Sequence, residues 1–157
     1  MPTLTQATED AYEEFLVEID MLLDDLGELL RRSSACEGQR VAYDPDSLDA
    51  IERFYLGVLA GTDTVTVSPA RMNRIMAAFY GEAVRERAGG TWELCNNPHD
   101  IGFGLPVVAD WGEGVLAFSP VEVRDAQIRE RKPVIRETVE YCENKEQIEA
   151  DFFKEFE

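Results

Sequence analysis

The sequence has one histidine, His99, and three cysteines, Cys36, Cys95 and Cys142, widely separated and in no Cys-x-x-Cys spacing. One imidazole cannot build a histidine-rich metal site, and the thiols lack zinc-ligand spacing. An odd, scattered set of cysteines suits reduced thiols in a cytoplasm better than a disulfide framework. No apolar run reaches the roughly eighteen residues a membrane span needs. The amino terminus, MPTLTQATED, has neither the basic nor the apolar region of a signal peptide. Lysine is scarce, with Lys132, Lys145 and Lys154 against twelve arginines. These absences lead to the expectation of a cytoplasmic protein with no metal, no cofactor and no membrane contact.

Catalytic motifs are missing as well. The segment AGTDTVT has no second glycine and no following lysine, and GFGLP leads towards a strand, so neither is a phosphate loop. No Gly-x-Ser-x-Gly elbow occurs. His99 beside Asp100, with Cys95 four residues earlier, is the nearest approach to a base–nucleophile pair. Asn96, Asn97 and Pro98 make that stretch a turn, and such residues satisfy turn hydrogen bonds without any chemistry. Asp20 with Asp24, and Asp44-Pro45-Asp46, bring carboxylates together but lack calcium-loop spacing. The reading is non-enzymatic, with no catalytic residue.

Negative charge is what the chain has in quantity. There are 32 acidic residues against 15 basic ones, a net charge of −17 and a pI near 4.3. Such a field repels nucleic acid and anionic lipid and favours a basic protein partner. Acidity also serves solubility by itself, including in a salty cytoplasm. At 157 residues and 45% hydrophobic content, the chain is expected to form a single domain, 1–157, with one core.

Residues 1–90 read as mainly helical, 91–118 as a small antiparallel sheet and 119–157 as a helical segment, an α+β fold. Tyr12, Leu16, Ile19, Leu23, Leu26 and Leu30 form the expected core stripe of a first helix. Asp46 or Ser47 is placed to cap a second helix ending at Gly61. TDTVTV is a short strand or extended connector. Ser68-Pro69 starts a third helix that buries Met72, Ile75, Met76, Phe79, Ala83 and Val84 and ends at Gly89-Gly90. TWELC and LPVVAD read as strands, and VLAFS as the antiparallel return of LPVVAD across an Asp110–Gly114 turn. Ser119-Pro120 starts a further helix with Glu122 as a capping-box residue, and Pro133 ends it. Beyond it, Ile148, Phe152 and Phe156 recur at four-residue steps that would dock the end of the chain.

Two places carry more than core. On the first helix, Asp10, Glu14, Val17, Met21, Asp24 and Glu28 form a second stripe, apolar at the centre and acidic at both ends. A solvated face has no use for Val17 and Met21, so this stripe is the candidate partner-binding surface. The other place is Gly81, which costs roughly 1 kcal/mol against alanine inside a helix. Its expected compensation is the close approach of another backbone, that of the first helix or of the TWELC strand. The functional alternative is a ligand notch rimmed by Tyr80, Glu82 and Trp92, with His99 near by.

Tyr80-Gly81-Glu82, Gly89-Gly90-x-Trp92, Pro106-Val107 and Ser119-Pro120 together resemble small acidic bacterial immunity-type proteins of toxin systems. The likeness spans about residues 70 to 130 and implies an α+β fold and an antitoxin-like role. A basic toxin would be the implied partner, and no catalytic residue carries over. Self-association through the second stripe, making the chain a homo-oligomeric structural or regulatory subunit, and a small-molecule-binding domain or enzyme with a site around Tyr80, Glu82 and Trp92 are the alternatives.

Overall fold

The computed structural model describes residues 3–109 and 118–154, without the side chains of 145–149, 152 and 153. The order is α1 (Gln6–Arg32), a 3-10 turn (Ser34–Cys36), α2 (Pro45–Ala60), α3 (Pro69–Ala88), β1 (Thr91–Leu94), β2 (Pro106–Ala109), α4 (Pro120–Glu130) and α5 (Ile135–Lys154). This is an α+β fold with helices on both sides, in sequence, of a two-stranded antiparallel sheet.

Helix α3 is the centre. Every residue from Ala77 to Val84 is buried, so this helix has no solvent face there, as expected of a helix enclosed by others. Ser68 caps its start, accepting from Arg71 N, and Pro69 occupies the first turn, where a missing N–H costs nothing. Gly89 closes it at φ +92° with an extended ψ of −166°, a conformation that favours glycine. Against α3 lies α1, whose buried side chains are Phe15, Ile19, Leu22, Leu26, Leu29 and Leu30. The core stripe is therefore turned by about one position from the expected one. Tyr12, Leu16 and Leu23 sit half-buried on its flank. The paired leucines at 22–23 and 29–30 allow either face, and the aromatic Phe15 settles it.

Charge reinforces the docking of α1. Arg71 reaches Asp25 at 2.9 Å and Glu18 at 3.5 Å, and Arg74 reaches Glu18 at 2.9 Å. The Arg74 hydrogen bond is the main reason the Glu18 carboxyl is held below its usual range. Gly27 lies inside α1, where a glycine costs helix stability against alanine. A Cβ there would meet Val41 Cγ2 at an ordinary 3.8 Å. Gly27→Ala should therefore stabilise the fold by up to about 1 kcal/mol, read as a rise in the urea midpoint. A fall would mean the helix is strained at this turn.

Helix α2 is capped by Asp44, with Pro45 inside its first turn, rather than by Asp46 or Ser47. Asp44 accepts from both Ser47 N and Ser47 Oγ, so this acidic loop serves the helix start. Gly61 ends α2 in the left-handed conformation. TDTVTV is a connector that leans Val65 and Val67 on the core. Ser119 caps α4, but Glu122 makes no return bond of a capping box. Its Oε1 is buried without a hydrogen-bond partner among the described residues, and burial raises its pKa. Helix α5 takes its cap from elsewhere: Glu52 of α2 accepts from Val134 N at 2.8 Å and Ile135 N at 2.9 Å.

β1 pairs with β2, Thr91 opposite Ala109 and Leu94 opposite Pro106, across the loop 95–105. Of the expected VLAFS return, 115–117 lie outside the described residues, and Phe118 makes one antiparallel bridge to Val108, closed by two 2.8 Å hydrogen bonds. The Asp110–Gly114 turn and Phe156 lie outside the described residues, as do the side chains of Ile148 and Phe152.

Candidate functional site

The outward face of α1 brings six of the expected residues together. Asp10, Glu14, Val17, Met21, Asp24 and Glu28 are all exposed on one helix about 40 Å long at 1.5 Å per residue. Val17 is 83% exposed and Met21 59%, one helical turn apart, so they form a continuous apolar spot. Ile101 is equally exposed but stands on the loop after β1.

The carboxylates of α1 divide by position. Glu18 and Asp25 face α3 and are engaged with its arginines. Among the described residues, the companions of Asp10 and Glu28 are local ones on α1, Gln6 Nε2 at 2.9 Å and the Arg31 guanidinium. Asp24 makes no ion pair among the described residues. The outward stripe thus carries exposed carboxylates at both ends, with Glu28 paired to Arg31, while the inner carboxylates hold the helix in place.

The Gly81 region is arranged differently. An added Cβ on Gly81 would lie 2.0 Å from Trp92 Cη2, so the indole occupies the space over the glycine. The close approach comes from a side chain rather than a neighbouring backbone. Trp92 Nε1 donates to Glu82 Oε1 at 2.7 Å, and Arg85 Nη1 donates to the same oxygen at 2.7 Å. Trp92 also meets Phe15 edge-on, centroids 5.3 Å apart. Tyr80 is fully buried, its hydroxyl beside Gln127, and burial raises its pKa well above the ordinary value. His99 lies exposed on the loop, its backbone N–H donating to Asn97 Oδ1. The structure therefore joins Glu82 to Trp92 in a packing joint and leaves His99 apart.

Sequence reasoning missed a cleft of about 380 Å³ on the other flank of α1, which includes Tyr12, Phe15, Arg74 and Arg124. Its walls come from α1, α3, the approach to β2, and α4, so no local motif could mark it. Among the described residues, no helix is long and apolar enough to cross a membrane. No known protein family, curated protein or solved structure matches this chain.

Proposed function

We propose that this chain is a non-enzymatic binding protein that masks a basic protein partner with the outward face of α1, in the manner of an immunity or antitoxin protein. The observation that supports this reading is the adjacency of Val17 and Met21, both exposed, between acidic residues at each end of the stripe. Interfaces of this kind use apolar contact at the centre for residence, and charge at the rim for rate and selectivity. Self-association through the same stripe is opposed by symmetry. Two copies related by a twofold axis would set Asp10 and Glu14 against Asp24 and Glu28, like charge on like.

Met21→Glu combined with Asp24→Arg and Glu28→Arg should weaken partner capture by about 2 kcal/mol or more, roughly thirtyfold. Helical circular dichroism should be unchanged, because these side chains face solvent. Pull-downs from native cytosol with the two forms, compared by mass spectrometry, make the test. The expected captured protein is basic and is lost with the variant. A partner that is acidic, or capture undiminished by the three changes, would sink the proposal. A stable dimer in light scattering that disappears with Met21→Glu would reassign the stripe to self-association.

A further inference from the structure

The cleft beside α1 differs in character from the rest of this acidic molecule. Ala11, Phe15, Ala77, Leu105 and Pro106 give it an apolar wall, and the alanines leave the room. Its volume, about 380 Å³, falls in the range of small-molecule sites. The charged residues lining it are Arg74 and Arg124, with no carboxylate among the described lining, although acidic residues outnumber basic ones twofold in the chain.

Both arginines have acidic companions, Glu18 and Asp125, but neither companion lines the cleft. Arg124 is well occupied: its Nε and Nη2 donate to Asp125 and its Nη1 to the Asn73 carbonyl. Arg74 is not. It donates once, through Nη2 to Glu18, which leaves four of its five N–H donors without a hydrogen bond among the described residues. Its guanidinium also lies 5.8 Å from the centroid of the Phe15 ring, which orients the fork beside the apolar wall. Tyr12 adds a phenol that remains a neutral donor, since burial and then the charge of Glu93 raise its pKa.

We infer that this cleft binds a small organic carboxylate with an apolar body, the carboxylate on the free N–H groups of Arg74 and the body against Phe15, Ala77 and Leu105. A planar guanidinium matches a carboxylate by paired N–H···O bonds, which a neutral ligand cannot reproduce. Arg124 lines the same cleft, already paired with Asp125. This site is separate from the outward stripe of α1, and either can stand without the other.

Phenylbutyrate and its uncharged counterpart phenylbutanol are suitable probes, titrated into the full chain at low ionic strength by calorimetry and ligand-observed NMR. The acid should bind saturably, one to one, and at least about tenfold more tightly than the alcohol. Arg74→Met should remove that preference while leaving the alcohol's affinity unchanged. Ala11→Trp, at an exposed position on the rim, should fill the cleft and weaken both ligands at least about tenfold with the thermal melt preserved. Equal binding of acid and alcohol, no saturable binding, or affinities untouched by both variants would overturn the assignment.

Discussion

Glu52→Ala should destabilise the fold by about 3 kcal/mol or more, measured by urea unfolding. Glu52 is 1% exposed, and its Oε2 accepts from Val134 N, Ile135 N and Gln127 Nε2. Removing the carboxylate leaves three donors of a buried junction without their acceptor, and each such loss costs about 1–3 kcal/mol. Two of those donors belong to the entry of α5, so the same change also uncaps a helix. The neighbouring Arg136–Asp49 pair, 2.7 Å, is exposed and cannot substitute. A loss under about 1 kcal/mol would show that water takes over, entering by the 160 Å³ recess lined by Asp49, Glu52 and Val134.

Glu52→Gln separates the charge from the hydrogen bonds, because the amide keeps one acceptor oxygen. Burial raises the Glu52 pKa above 4.5 despite the bonds it accepts. Ionisation therefore costs more in the folded state than in the unfolded one. Wild-type stability contributed by this group rises as pH falls through the raised folded-state pKa, and is complete below 4.5. The stability of Glu52→Gln relative to wild type should accordingly be greatest at neutral pH and shrink on acidification. A difference that is flat with pH would mean Glu52 titrates alike in both states.

What could be read from the sequence follows the range of the interactions. Ser68-Pro69 and Ser119-Pro120 announce α3 and α4 because a cap bonds only to its own first turn. Asp44 was one step further off: Pro45 inside the first turn moves the cap to the residue before it, and Asp46 and Ser47 offered equally good local chemistry. The exposure of Val17 and Met21 was legible since it depends on the periodicity of a single helix. The core face of α1 was legible only to within one position, because adjacent leucine pairs serve two registers. Glu52 left no local trace, since the donors it accepts from lie 75, 82 and 83 residues away. The cleft at Arg74 was hidden for the same reason: its lining exists only after four separate segments have packed.

Gly81 lies between these cases, and Gly81→Ala tests the part that the sequence left open. A glycine inside a helix signalled a close neighbour, but which atom approaches is decided by how the β hairpin docks. The methyl carbon would fall 2.0 and 2.2 Å from Trp92 Cη2 and Cζ2, far inside contact distance. The indole must withdraw or α3 must shift, and overpacking a core in this way costs about 1–3 kcal/mol by itself. Withdrawal also breaks the 2.7 Å bond from Nε1 to Glu82, a carboxylate only 9% exposed, and the edge-on contact with Phe15. The expected total is about 3 kcal/mol, in the opposite direction to Gly27→Ala. Because the second tryptophan, Trp111, would confuse the signal, fluorescence is best read with Trp111→Phe in both forms, where Trp92 emission should shift to the red. Trp92→Leu should cost about 2–3 kcal/mol alone, yet add little on top of Gly81→Ala, since one change has already removed what the other removes. Strict additivity in that double-mutant cycle would show that the alanine acts through the helix backbone and not through the indole.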